Sequence, residues 1–209
     1  MVVKIRISGQ TFILGSVYGP NQPNRQFFSG LKKSINKLKA NQNTQIIIGG
    51  DWNCTWDSSN VELNLDVFNM AAVPNLQNSQ SLQQLCATLD LCDPYRILYP
   101  NKRDYTYRPF GNLRVNRSRL DFFVISSSLI ENICDTTISP IPLCNLFDHC
   151  NVRLNIGPNI REKYSVTLSN RFLGEKILEL AIQSTTVRTH LLSLNENLTC
   201  RLFAINSFF

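Results

Sequence analysis

Acidic and amide side chains follow a buried, strand-like run at residues 46–53. Three isoleucines and two glycines precede Asp51 and Asn53. Alternation along a strand would place these two side chains on the same side, and ligands bind at the carboxyl ends of strands in α/β sheets. An aspartate there can ligate a hard cation or position a water, and an asparagine can hold a phosphate oxygen. An Asx turn that caps the strand is the structural alternative.

Two further segments carry an ionisable group beside apolar residues. Asp148 and His149 directly precede the apolar run at residues 150–156, and the chain has only two histidines. This placement favours an acid–base or phosphate-binding role, although a single histidine is more often a satisfied structural residue. Asp121 lies within the apolar run 118–126, where a carboxylate is costly unless it is paired. A histidine is a suitable partner, because an aspartate can fix the histidine tautomer.

These groups are predicted to form one site. Each lies at the end of a strand-like run or next to one, so we expect four side chains to converge at one end of the sheets: Asp51, Asn53, Asp121 and His149. Asp121 and His149 are expected to lie within hydrogen-bond reach of each other, directly or through a water.

A basic stretch with interleaved aromatic rings spans residues 102–119. It contains six basic residues but a single acid, Asp104. The basic residues are Lys102, Arg103, Arg108, Arg114, Arg117 and Arg119. Tyr105, Tyr107 and Phe110 lie among them, and the whole chain has a net charge of +6. Such a composition favours contact with DNA phosphates and wedging or stacking on bases. An ordinary pair of strands with surface arginines is the alternative.

The periodicity of the apolar residues predicts interleaved strands and helices, which is typical of an α/β or α+β protein. Strands are predicted at residues 3–7, 11–18, 46–48, 104–108, 118–125, 134–139 and 150–156, the first two as a hairpin. Helices are predicted from Asn24 to about Ala40 and from about Ser81 to Asp90. Beyond Gly157 the pattern breaks, and a helix-like stretch lies near residues 173–182.

The composition excludes several classes of protein. An apolar fraction of 43% suits a globular core, and no apolar run approaches the ~20 residues of a membrane span. The seven cysteines form no C-x-x-C pair, and the N-terminus resembles no signal peptide. We therefore predict reduced cysteines, a nuclear or cytoplasmic location without secretion, and no membrane partner.

Four short motifs occur in order: Y-x-P-N at residues 18–21, G-G-D-x-N at 49–53, R-x-D-F-F at 119–123 and D-H at 148–149. This order resembles the signature of the endonuclease/exonuclease/phosphatase superfamily. Within it, the chain is most similar to the apurinic-type endonuclease domains of LINE-class (non-LTR) retrotransposons. The resemblance covers residues 1–156 and implies a two-sheet β-sandwich flanked by helices, a four-layer α/β sandwich. Residues 157–209 would be a helical tail or linker toward a missing downstream domain.

The resemblance implies a DNA-nicking endonuclease that hydrolyses phosphodiester bonds with Mg²⁺ or Mn²⁺. Asp51 would orient or deprotonate the attacking water, and Asn53 would contact the scissile phosphate and help to fix Asp51. Asp121 would hydrogen-bond His149, which would bind or protonate the phosphoryl group. Asp148 would lie close to the metal.

The same resemblance implies contacts with DNA as partner. Tyr18 and Asn21 correspond to a phosphate-contacting tyrosine and its nearby amide. The basic hairpin would approach a DNA groove through Arg108, Arg114 and Arg117. In a full-length element, a reverse transcriptase domain would accompany this one.

Two departures from the family pattern concern the metal. Phe147 precedes Asp148 where the family usually has serine. Family members also carry an asparagine and a metal-binding glutamate upstream of Y-x-P-N, whereas the 17 residues before Tyr18 include neither. We therefore expect an N-terminally truncated copy that is poorly soluble and impaired in Mg²⁺-dependent nicking, with both properties restored by an upstream segment that carries the glutamate.

Two other functions remain compatible with these residues. A non-catalytic nucleic-acid-binding remnant would use the basic hairpin without metal chemistry. A phosphatase of the same superfamily would act on lipid or inositol phosphates. The retrotransposon-like motifs and the basic hairpin favour DNA as the substrate over the phosphatase alternative.

Overall fold

Two β-sheets and a layer of helices make up the fold. The computed structural model describes residues 1–7, 9–39, 43–69, 72–109, 116–139, 148–157, 164–171 and 175–181. The first sheet has the order β1-β2-β3-β7-β5 and consists of β1 (Val2–Ile7), β2 (Gln10–Tyr18), β3 (Gln45–Asp51), β7 (Asp121–Ser126) and β5 (Leu91–Cys92). All neighbours in it are antiparallel except β2 and β3, which run parallel.

The second sheet is antiparallel, and the helices lie between the strands in sequence. Its order is β11-β10-β9-β8, formed by β8 (Ile133–Ser139), β9 (Asn151–Ile156), β10 (Tyr164–Arg171) and β11 (Glu175–Ala181). A short ribbon pairs β4 (Val67–Phe68) with β6 (Arg117–Ser118). The helices are α1 (Arg25–Leu38), α2 (Leu76–Leu89) and α3 (Pro94–Leu98), and Ser127–Asn132 forms a 3₁₀ helix.

One apolar core lies between the first sheet and the helices. Phe28 and Ile35 of α1 and Leu82 of α2 pack in one cluster with Ile48 and Phe122. Ile48 and Phe122 point to the helix side because alternate residues of a strand face opposite sides of the sheet. Each such fully buried side chain contributes about 1.5–3 kcal/mol relative to an exposed one.

A second apolar core lies between the two sheets. Leu14, Ile47 and Phe123 of the first sheet form one cluster with Val152 and Leu154 of β9. Mixed sheets flanked by helices confirm the predicted α/β sandwich, and the strands that carry the four sequence motifs all border this second core.

Both predicted helices are present. Asn24 caps α1 as predicted, since its side chain accepts a hydrogen bond from the Phe27 N–H at 3.0 Å. However, α2 begins at Leu76 rather than near Ser81. Its first turns are polar and show no apolar period. They are held instead by Asn78, whose amide group bonds to the chain after β2.

The strand predicted at residues 104–108 is wrong. Tyr107 forms only isolated bridges there, one to Ser118 and one to His149. The segment lies between β6 and the start of β9, and these tertiary contacts outweigh the strand preference of its alternating pattern. The short helix α3 was not predicted, although Asp93 caps it and Pro94 starts it, which is a typical helix-start signal.

The helix-like stretch predicted near residues 173–182 is also wrong, because Glu175–Ala181 forms strand β11. β11 pairs with β10, and β10 pairs with β9, so this hairpin extends the second sheet past residue 156. Pairing satisfies the backbone N–H and C=O groups that would be unpaired if β9 were an edge strand. This gain outweighs the local helix propensity of residues 175–181. The remainder of the predicted tail, residues 182–209, lies outside the described residues.

The cysteines of the described segments make no disulfide bond and are Cys54, Cys86, Cys92, Cys134 and Cys150. Burial, the largest effect, raises the pKa of the Cys54 thiol to about 12, which is typical of an unreactive core cysteine. In the described part of the chain, no helix is long and apolar enough to cross a membrane.

Candidate active site

Three motif residues form a row across the first sheet. Tyr18 of β2 lies opposite Asp51 of β3, which lies opposite Asp121 of β7. Residues directly opposite each other in neighbouring strands project to the same face. Ile47, four residues before Asp51, and Phe123, two residues after Asp121, lie on the same faces of their strands as these carboxylates. Both belong to the core between the sheets. The row therefore lies at the edge of that core, where β2 and β3 end and β7 begins.

His149 reaches this row from the start of β9. Its Nδ1 lies 2.6 Å from Oδ2 of Asp121. One ligand atom each from Asp51, Asp121 and His149 lie within 4.8 Å of one another. The structure thus brings these three predicted residues together, and it confirms the predicted hydrogen bond between Asp121 and His149.

The bond between Asp121 and His149 orients the imidazole. The side chains are 4% and 14% exposed, respectively, so the carboxylate is held in a poorly solvated setting. An aspartate bonded to Nδ1 favours the tautomer with the proton there, which leaves Nε2 for a substrate. When Nε2 is protonated as well, the same carboxylate stabilises the imidazolium, which can donate from Nε2 to a phosphoryl oxygen.

Thr106 holds the two partners in register and was missed by sequence reasoning. Its buried hydroxyl accepts hydrogen bonds from the backbone N–H of Leu120 at 3.0 Å and of Asp121 at 2.9 Å. Its carbonyl accepts the N–H of Cys150 at 2.7 Å. A threonine flanked by two tyrosines was the signal available in the sequence. The contacts themselves join positions far apart along the chain.

Tyr107 lies against the imidazole of His149. The two ring centroids are 5.0 Å apart, and the neighbouring Arg108 N–H donates to the carbonyl of Asp148 at 2.6 Å. Burial, followed by the charges of Asp148 and Asp51, raises the pKa of Tyr107 above its ordinary value. Its phenol therefore stays protonated near neutral pH and is able to donate a hydrogen bond.

Asp51 and Asn53 are joined by the Asx turn that was the structural alternative. The Asn53 N–H donates to Oδ1 of Asp51 at 2.8 Å, and its φ of 49° lies in the left-handed region. The predicted alternation does not reach Asn53, because β3 ends at Asp51. The turn aims the Asn53 amide at the carbonyl of Gly19, 2.7 Å away, so the turn and a role in the site are compatible.

The Y-x-P-N segment is clamped to this turn. The Gly19 N–H donates to the carbonyl of Asp51 at 2.6 Å, and a Cβ at Gly19 would come within 2.1 Å of the Trp52 carbonyl oxygen. From the other side, the amide of Asn78 donates to the carbonyls of Pro20 and Gln22. Only glycine fits this approach.

Tyr18 and Asn21 are both exposed at this edge. Tyr18 is adjacent to Asp51 in the row across the sheet. Their predicted contacts with phosphate remain a prediction that this placement permits.

The three arginines predicted to contact DNA differ in their exposure. Arg108 is exposed beside the site, and Arg117 is half-buried on β6. Arg114 lies outside the described residues. Arg119, counted above with the basic stretch, is fully buried and so does not add to a basic surface.

Arg119 instead forms a buried ionic network. Its Nε lies 2.7 Å from Asp66, and its Nη2 lies 2.6 Å from Asp93. Its guanidinium also lies 4.8 Å from the ring centre of Phe122 and 5.2 Å from that of Tyr95. Since a buried arginine is costly unless it is paired, this network explains why the R of R-x-D points inward.

Asp66 is the centre of that network. It also bonds to Arg96. Burial alone would raise the pKa of the Asp66 carboxyl, but the charge and hydrogen bonds of Arg119, followed by those of Arg96, hold it below its ordinary value. The Asp66 carbonyl further accepts the Arg119 N–H at 2.9 Å, which ties the loop before β4 to the strand that carries Asp121.

The residues present partly fit a divalent cation. The carboxylates of Asp51 and Asp121 offer the oxygen ligands that Mg²⁺ prefers, whereas His149 contributes a nitrogen. Asp148, the predicted metal residue, is not in this group, and its role remains a prediction. A hard cation would therefore rest mainly on Asp51 and Asp121.

Comparison with known proteins identifies the fold. No protein-family profile matches the chain. The 3'-5' exonuclease NExo from Neisseria meningitidis superposes with a TM-score of 0.59 at 17% identity, over 75% of this chain and 65% of that one. The AP endonuclease LMAP from Leishmania major gives a TM-score of 0.57 at 17% identity, over 75% and 54%. This chain has the endonuclease/exonuclease/phosphatase fold.

One protein similar to this chain in sequence comes from a transposon. The chain is 28% identical over 189 residues to the uncharacterized 149 kDa protein of transposon TX1 from Xenopus laevis. The match covers 88% of this chain but only 13% of that protein. NExo from Neisseria has also been seen as a 3' phosphatase bound to a product DNA hairpin. The comparisons thus confirm the predicted fold, and they show a sequence similarity to a transposon protein.

Proposed function

We propose that this domain hydrolyses phosphodiester bonds of DNA and serves as the nicking endonuclease of a transposable element. The observation that carries the proposal is the Asp121–His149 hydrogen bond of 2.6 Å beside Asp51, at one edge of the core between the sheets. Phosphoryl transfer needs positioned charge more than covalent chemistry by the protein. The charge would come from Asp51 as the base and from the oriented imidazole of His149. The exposed side chains of Tyr18 and Asn21 would contact the phosphate.

In this mechanism the chain orients the water and neutralises the charge that develops on phosphate. Asp51, with its carboxylate held by the turn to Asn53, orients or deprotonates the attacking water. Asp121 stabilises the imidazolium form of His149, which would donate its Nε2–H to a phosphoryl oxygen and become neutral if the proton is transferred. The protonated phenol of Tyr107 is a further donor next to the same imidazole.

A divalent cation completes the proposal. Asp51 and Asp121 would hold Mg²⁺ or Mn²⁺, with Asp148 as the neighbouring acid predicted from the resemblance. When bound, the cation would stabilise negative charge on the phosphoryl oxygens.

Nicking of supercoiled plasmid in Mg²⁺ or Mn²⁺ tests the proposal. Because the chain alone is expected to nick poorly, parent and variants are each compared after joining to an upstream segment that carries the glutamate. Asp51→Asn is expected to reduce conversion to open circles by at least about 10²-fold, since it removes the carboxylate that acts on water. Asp90→Asn is the matched control, because Asp90 is exposed at the end of α2, away from the site. Equal nicking by the Asp51 variant and the parent would refute the proposed role.

A non-catalytic DNA-binding domain is the second candidate. The observation that favours it is the donor set, in which only two carboxylates of the described residues join the group and one of them is bonded to His149. A parent chain that binds DNA but cuts neither plasmid nor DNA ending in a 3' phosphate, in either metal, would support this candidate over an enzyme.

Salt-dependent binding tests the DNA partner. Arg114→Gln and Arg117→Gln are each expected to weaken binding and to flatten the plot of log affinity against log salt by about 0.9 per lost phosphate contact. Lys33→Gln, on the exposed face of α1, is the charge-matched control and should leave the slope unchanged. Unchanged slopes for both arginine variants would remove the 102–119 segment from the contact surface.

A further inference from the structure

One exposed aromatic ring beside the candidate site has no part in the mechanism above. Phe68, on the short strand β4, is 39% exposed. Scattered apolar side chains on a surface need no explanation. Phe68 differs because specific neighbours hold its ring in place.

The ring of Phe68 rests on an aromatic and a cationic neighbour. Its centroid is 6.0 Å from that of Tyr105, which is buried. The guanidinium carbon of Arg117, directly opposite in the β4–β6 ribbon, lies 5.9 Å from the ring centre. A ring that is already ordered loses little entropy when a ligand stacks on it.

The ribbon that carries Phe68 is tied to the catalytic strands on both sides. On β6, Ser118 exchanges backbone hydrogen bonds with Tyr107, the residue whose ring contacts His149. Before β4, Asp66 bonds to Arg119, two residues ahead of Asp121. The position of the ring is therefore coupled to the position of the Asp121–His149 pair.

We propose that Phe68, supported by the buried ring of Tyr105 and flanked by Arg117, forms a stacking platform for an unpaired nucleobase of the DNA bound at the active site. This inference rests on the proposed function, since it takes DNA as the partner. Every base has a flat π-face that stacks on an aromatic ring, with little regard for sequence. Arg117 adds a positive charge that suits the adjoining phosphate, and the net charge of +6 favours the same partner.

Binding of a short single-stranded DNA oligonucleotide, without added metal, tests the platform. Phe68→Ala is expected to weaken binding by roughly 5-fold to 100-fold. The salt slope should stay unchanged, because the ring carries no charge. An oligonucleotide of abasic sugar-phosphate units should bind the parent and this variant equally. Leu63→Ala, a more exposed apolar truncation in the same region, is the matched control and should bind as the parent does.

A second variant keeps the test valid if the alanine variant folds poorly. Phe68→Trp is expected to retain affinity, and its fluorescence should be quenched when the normal oligonucleotide binds but not when the abasic one does. The platform is overturned if the tryptophan is not quenched, if Phe68→Ala binds normally, if it loses as much affinity for the abasic chain, or if the parent binds no DNA. Normal binding by Phe68→Ala together with loss of nicking in Asp51→Asn would reject the platform alone. Unchanged nicking in Asp51→Asn would reject the catalytic proposal alone.

Discussion

Replacing Asp121 with asparagine is expected to slow nicking by about 10²- to 10⁴-fold. The imidazole of His149 would lose the carboxylate 2.6 Å from its Nδ1, and with it the tautomer and the charge stabilisation that the proposed mechanism needs. The measurement is the single-turnover rate of plasmid nicking for parent and variant at saturating metal. Asp90→Asn provides the same chemical change at an exposed position and should keep the parent rate.

A double variant separates two roles for Asp121. If Asp121 acts through His149, the combined Asp121→Asn and His149→Ala variant should be no slower than His149→Ala alone, because groups that act as a unit show non-additive losses. Losses that multiply would show that Asp121 works independently of the histidine. In that case its carboxylate in the three-residue group would serve the cation instead.

Asp66→Asn is expected to lower the free energy of unfolding by about 3–5 kcal/mol, the usual cost of leaving a buried charge without its partner. Arg119 would keep only Asp93, and both arginines that bond to Asp66 would lose their shared carboxylate. Urea denaturation followed by circular dichroism measures the difference. Asp90→Asn is the matched control, since Asp90 is exposed at the end of α2 and a change at a surface position is expected to alter the free energy of unfolding by no more than about 0.5 kcal/mol.

The unfolding free energies of the parent and of the Asp66→Asn variant should respond differently to acid. Because the pKa of Asp66 is lowered in the folded chain, its stabilisation is complete above the unfolded-state pKa of about 3.9 and is lost as the pH falls through the lower folded-state pKa. The asparagine variant has no such group. The gap in unfolding free energy between parent and variant should therefore shrink below about pH 3.9, and a gap that persists unchanged into that range would contradict the ionic explanation.

Local signals in the sequence were enough for the elements that carry the site. Apolar alternation and the Asn24 cap predicted the first hairpin and α1, and both are present. The cost of a carboxylate in an apolar strand led to a partner for Asp121, and the structure supplies His149. Such inferences succeed because each depends on the chemistry of one short segment and on the period of its backbone.

The tertiary structure alone decided how the site is supported. Thr106 bonds to residues 14 and 15 positions away, and Asp66 pairs with an arginine 53 positions away. No local period records such contacts, since they depend on which loops the sheets bring together. For the same reason Arg119 was read as part of a basic surface, and β11 as a helix. Sequence by itself determined which groups do the chemistry proposed for this protein, and only the packed fold determined which neighbours hold them at working distance.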